Sequence, residues 1–280
     1  MDDMLENLGR ALGRVFPGCV TIGQAVAFNM FLAFFPMLLF ALGVMTSVDT
    51  FRGEVRELPE RLRTILPPGS ERMVLDFFMQ KGSHPERWIW LGMGGMLLAG
   101  SQVLIGFIQG FRVIENTEPR ISYGWLQFRA FAMFSMTIVP WIAFVILTVF
   151  GRPMRGWLIG HLGLAPWVRL LAAGVYHGLA LTIALLVVIV LYRLGQPAMH
   201  ALSDVLPGAA VATVLWWTVD ISFGFYVRLV PYDTIYRGLA AVIGLLLWMY
   251  LTAMVLFIGA AYNTIRFEDM QAHPRYRTLT

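Results

Sequence analysis

"GLAAVIGLLLWMYLTAMVLFIGAAYNT", residues 238–264, carries no charged side chain over 27 positions. An α-helix rises about 1.5 Å per residue, so about 20 apolar residues cross a hydrocarbon core of about 30 Å. This run is long enough, and the pattern recurs at 25–48, 88–111, 128–150, 169–192 and 206–229. Inside a bilayer no water satisfies backbone N–H and C=O groups, so such runs form helices. The alternation of a membrane barrel strand is absent. The expected fold class is an all-α polytopic membrane protein with six transmembrane helices plus amphipathic surface helices.

The composition agrees. The 280 residues are 58% hydrophobic and 14% charged, against about 25% charged in a soluble domain. The net charge of +4 is spread over loops rather than gathered in a stripe. No nucleic-acid partner is expected, whereas contact with membrane lipids is. Cys19 is the single cysteine, which excludes an intramolecular disulfide and a zinc site of paired cysteines.

Three segments flank or interrupt the membrane domain, 25–264. In residues 1–24, Leu5, Leu8, Leu12, Val15 and Phe16 recur at helical spacing with Arg10 and Arg14 between them. That pattern suits an amphipathic helix on the membrane surface, or equally a cap on the bundle. Residues 49–87 hold two further amphipathic stretches, "FRGEVRELPERLRTIL" and "ERMVLDFFMQ", separated by "LPPGS". Their seven basic and seven acidic residues cancel. Residues 265–280 form a polar C-terminal tail. Six spans put both termini on one side. Counting Lys and Arg favours cytoplasmic termini only when the neutralised 49–87 region is left out.

Small residues spaced by four, Gly106/Gly110, Gly174/Gly178 and Gly208/Ala212, offer close helix approach. They suit a homo-oligomer and internal packing equally. Pro36 and Pro140 each remove a helical hydrogen bond and are hinge candidates.

Asp220 stands inside the run 206–229. A carboxylate at the centre of a span costs about 2.5–3.5 kcal/mol, against a gain of about 0.3–0.6 kcal/mol per leucine. The span inserts regardless, and the charge is expected to face a bundle interior or a water cavity. Candidate groups for such a polar cavity are Asn29, Gln102, Gln109, His177 and Asn263. Arg228 lies two turns on, about 12 Å along the helix, so a partner on another helix is expected. An Asp220–His177 proton relay is the sharper reading of His177; a neutral histidine satisfied by a carbonyl or hydroxyl is the plainer one.

No catalytic constellation emerges. The histidines at 84, 161, 177, 200 and 273 have no metal-site spacing, and there is no Walker loop or GxSxG elbow. Neither an enzyme, a cofactor nor a metal is expected.

"LPGAAVATVLW" (206–216), "FGFYV" (223–227) and "YDTIYRGLAAVIGLLLWMYLTAMVLFIGAAYN" (232–263) resemble the YihY/BrkB family of bacterial inner-membrane proteins, and "AFNMFLAFFPMLLF" (27–40) resembles its first span. The resemblance implies six membrane helices, a bacterial cytoplasmic (inner) membrane location and cytoplasmic termini. Some members have carried the label ribonuclease BN, which these residues do not support, and others are called virulence factors. This chain departs from the family pattern where Arg237 follows Tyr236 in place of glycine, where Ala261 replaces an acid, and at Asp220. Tyr236, Arg237 and Asp220 therefore join the candidate polar set. The functional expectation is a transporter or lipid-handling permease of unknown substrate. The alternative is a non-transporting scaffold whose 49–87 region binds a partner.

Overall fold

The computed structural model describes residues 2–47, 85–117, 122, 124–137, 166–197, 201–229 and 237–272. These are helical throughout apart from short turns. In chain order the helices are α1 (Asp2–Val15), α2 (Val20–Ser47), α3 (Pro85–Ile114), α4 (124–137), α5 (Pro166–Gly195), α6 (Leu202–Leu229) and α7 (Arg237–Ala272). Five candidate spans lie in them, by length and composition: Val20–Phe40, Ile89–Ile114, Gly178–Gly195, Leu202–Tyr226 and Val242–Ala272. The run expected at 128–150 is described only as far as 137, within α4. The amphipathic stretches of 49–84, Pro140 and Tyr236 lie outside the described residues. The last helix runs on past 264 to Ala272, into the stretch read as a polar tail.

Packing gathers the chain into two compact units. The first comprises Met1–Val20, Ile108–Trp217 and Val255–Thr280. Its centre is aromatic: Phe111 meets Tyr192 edge-on at 5.6 Å and Phe257 at 6.0 Å between ring centroids. All three rings are fully buried. Glycine lets the helices close over them. A methyl group on Gly208 would come 2.1 Å from the Gly259 carbonyl oxygen, and one on Gly259 would meet Ala212 Cβ at 2.7 Å. The Gly208/Ala212 pair is thus a contact face between α6 and α7, as its spacing suggested. Gly174 and Gly178 have nothing within 4 Å of such a methyl.

The ends of α1, α3 and α7 are tied together in the same unit. Helix α3 ends in a Schellman turn, with Thr117 N–H donating to Arg112 C=O at 3.0 Å and Asn116 N–H to Val113 C=O at 3.3 Å. Asn116 takes a φ of 50°, the left-handed conformation this cap requires. Arg14 Nε then donates to the otherwise free Ile114 carbonyl at 2.7 Å, while its terminal nitrogens grip both oxygens of Glu268. Arg10 holds Asp269 in the same two-pronged way.

The second unit comprises Thr21–Phe107 and Thr218–Met254. Here α2 lies against α3 at Gly92, Gly95 and Gly106, which face Phe40, Pro36 and Val26. The sequence marked Pro36 as a hinge candidate. In the structure α2 continues through it, and its ring packs on Gly95, where a methyl group would come within 2.9 Å.

Candidate functional site

The polar residues read from the sequence divide between two places. In the second unit, Asp220 Oδ1 accepts a hydrogen bond from Trp248 Nε1 of α7 at 3.3 Å. Among the described residues this is its one hydrogen-bond partner, and neither Asn29 of α2 nor Gln102 and Gln109 of α3 bonds to it. Asn29 and Gln102 are half-buried, and Gln109 is exposed. His177, Arg228 and Arg237 lie on described helices, but their side chains are outside the described set.

Asp220 is exposed although the phase of its helix points it inward. Thr213 lies seven residues before it, two turns of helix and so the same face. Thr213, Ala209 and Ala212 are buried. The outward stripe of α6 is a different one, made by the exposed Val214, Trp217, Ile221 and Phe225. The face that is packed at Ala209 and Thr213 therefore opens at Asp220. Position matters as well. Asp220 is six residues, about 9 Å, from the Tyr226 end of the span. It lies equally far, six residues, from the middle of that candidate span, on a helix that runs on to Leu229.

Asn263 belongs to a separate, closed network in the first unit. Its Oδ1 accepts from Gly208 N–H at 2.6 Å, and its Nδ2 donates to Val205 C=O at 3.1 Å and Gln196 Oε1 at 3.4 Å. Gln196 Nε2 in turn donates to Ala260 C=O at 3.2 Å and Glu115 Oε1 at 3.3 Å. Both amides are 1% exposed. Tyr192 adds a bond from its hydroxyl to Leu256 C=O at 2.6 Å. Buried polar groups that are fully paired in this way fix helix register. Gln196 was not singled out from the sequence. It sits just beyond the run 169–192, in "GQPAMH", where it reads as a loop residue.

Among the described residues no group of three or more His, Cys, Asp or Glu side chains converges as a metal site would require. Among the described residues Asp220 belongs to no such group and stands as an exposed carboxylate on α6.

Comparison with known proteins matches the family described as Virulence factor BrkB over residues 17–278. The chain is 21% identical over 243 residues to the protein named "Putative ribonuclease-like protein YfkH" of Bacillus subtilis, covering 86% of this chain and 87% of that protein. It is 23% identical over 251 residues to a UPF0761 membrane protein of Chromobacterium violaceum, covering 87% of this chain and 57% of the relative. A UPF0761 membrane protein of Xanthomonas axonopodis pv. citri is 23% identical over 261 residues, with 91% of this chain and 60% of the relative covered. The chain thus spans a little under two thirds of the length of the UPF0761 relatives. No solved structure matches. With a match running through nearly all of its length and five long apolar helices beneath it, the chain is an integral membrane protein that belongs to the Virulence factor BrkB family.

Proposed function

We propose that the protein is a transporter or lipid-handling permease in which Asp220 lines the path of an amphipathic or charged substrate. The observation that carries this reading is the exposed carboxylate of Asp220 on α6. A carboxylate within a span, exposed and held among the described residues by one indole, is poised to meet a substrate or a proton.

Six spans are proposed, with both ends of the chain on one membrane face. Two sets of contacts support that count. Arg10 and Arg14 near the N-terminus bond Asp269 and Glu268 near the C-terminus, so the chain enters and leaves at one end of the first unit. Glu115 and Gln196 also meet. Between them the chain has to cross and return, and α5 supplies one passage. The other falls in the run 128–150. With α1 lying along the surface and the bacterial inner membrane as host, the termini are cytoplasmic. Met4, Leu5 and Leu12 of α1, and Phe16 just after it, are exposed apolar residues that would enter the headgroup layer.

The test is flux in proteoliposomes, with headgroup-labelled phosphatidylglycerol followed between leaflets and pyranine reporting protons. Asp220→Asn keeps an acceptor for Trp248 and removes only the charge, so it is expected to lower flux of the transported probe at least tenfold with unchanged thermal stability. Equal flux in wild type and variant removes Asp220 from the mechanism. The scaffold reading draws on the same single contact, in which Trp248 and Asp220 simply pin α6 to α7. It expects no flux of either probe, and loss of partner capture on deletion of residues 51–80.

A further inference from the structure

We propose a binding site for the phosphate of an anionic phospholipid, formed by Arg112 of α3 and Arg129 of α4 in the first unit. Arg112 is 9% exposed. It makes no hydrogen bond or ion pair with any described residue. Arg129 is half-buried and within Coulombic range of Arg112. It spends one terminal nitrogen on the Leu194 carbonyl at the end of α5. No carboxylate among the described residues bonds to either guanidinium. Phe111, the neighbour of Arg112, packs against Gly195, next to the carbonyl that Arg129 holds, so both residues come to the end of α5. Two cations that repel each other in a partly desolvated setting are stabilised by a shared anion, and guanidinium forks match phosphate oxygens in pairs.

The surroundings select a lipid over a free ion. Arg112 lies in the last turn of α3, at the end of the span Ile89–Ile114, and Arg129 near the start of α4. Both sit beside the short connection 115–123, at one membrane boundary. Trp125, one turn before Arg129, and Phe128, the residue before it, stack at 5.5 Å between centroids. They are 57% and 62% exposed. Exposed aromatic rings at that level are the ordinary neighbours of headgroups and upper acyl chains. Cation pair and aromatic pair thus address the two parts of one molecule, the phosphate and the glycerol–acyl junction. The site needs a membrane protein but does not depend on transport.

The full chain in detergent would be titrated with dioleoyl-phosphatidylglycerol and dioleoyl-phosphatidylcholine, and bound lipid counted by native mass spectrometry. Wild type is expected to hold phosphatidylglycerol in preference to phosphatidylcholine, and Arg112→Gln and Arg129→Gln to weaken that binding about fivefold each. Trp125→Ala is expected to weaken it with both arginines intact. Arg129→Gln also removes the contact with Leu194, so Arg112→Gln carries the test if the other variant unfolds. Equal retention of the two lipids by wild type, or unchanged phosphatidylglycerol binding in Arg112→Gln, overturns the site. Displacement of the lipid by millimolar inorganic phosphate overturns its assignment to a lipid and leaves a free-anion site.

Discussion

Asn263 and Asp220 are both polar residues in apolar helices, yet their surroundings give them opposite roles. Asn263 uses its carbonyl and its amide nitrogen on three partners and is sealed from solvent. Asn263→Ala would leave Gly208 N–H and Val205 C=O without their side-chain partner in the core of the first unit. Each buried polar group deprived of a partner costs about 1–3 kcal/mol. The variant is therefore expected to lower stability by about 2–4 kcal/mol, read as the midpoint of thermal unfolding in detergent. Asn29, half-buried on α2 and without a hydrogen bond to any described residue, is the control. Asn29→Ala is expected within about 0.5 kcal/mol of wild type. Similar losses in both variants would show that the network adds nothing beyond burial. The sequence exposes both residues as polar positions in spans, because a polar letter in an apolar run is visible. It does not reveal which one is closed off, because that depends on Gln196, reached only when α5 and α7 pack.

Helix contacts show the same division between what is local and what is tertiary. Three pairs of small residues have identical four-residue spacing, yet they differ in use. Gly208 and Ala212 press against Gly259, whereas Gly174 and Gly178 face open space. Gly208→Ala would place a methyl group 2.1 Å from a backbone oxygen, so α6 and α7 must separate and the Asn263 bond to Gly208 must lengthen. Loss of folding or a large fall in the unfolding midpoint is expected. Gly178→Ala meets nothing within 4 Å and replaces a poor helix former by the best one, a gain of up to about 1 kcal/mol. If the two variants unfold together, the close approach at Gly208 is wrong. Spacing tells that a pair shares a face. It cannot tell whether that face meets another helix or the lipid, because rotation about the helix axis is set by neighbours.

At the scale of the molecule, the apolar runs made the fold class legible, since length and composition alone decide whether a segment can cross a bilayer. The number of crossings was less secure, and the contacts at the ends of the helices bear on it most directly. With Arg10–Asp269, Arg14–Glu268 and Glu115–Gln196 at one end of the first unit, the proposed topology puts residues 3, 116, 197 and 270 on one membrane face. Residues 85 and 165 fall on the other. Single cysteines introduced at these positions can be read against the native thiol, because Cys19 is buried between helices and burial pushes its pKa from 9.0 to about 11. Only the thiolate reacts readily, so at pH 8 a shift of that size leaves about 100-fold less of it. Cys19 is expected to stay silent to a membrane-impermeant maleimide at pH 8 and to react once the protein is unfolded. In intact cells the reagent is expected to label the cysteines at 85 and 165 and to spare the other four until the membrane is opened. Labelling of position 197 but not 116 in intact cells would mean that no crossing lies between 124 and 165, and five spans would stand in place of six. Labelling of all four in intact cells would keep six spans and reverse the orientation, placing the Arg112–Arg129 site on the outer leaflet.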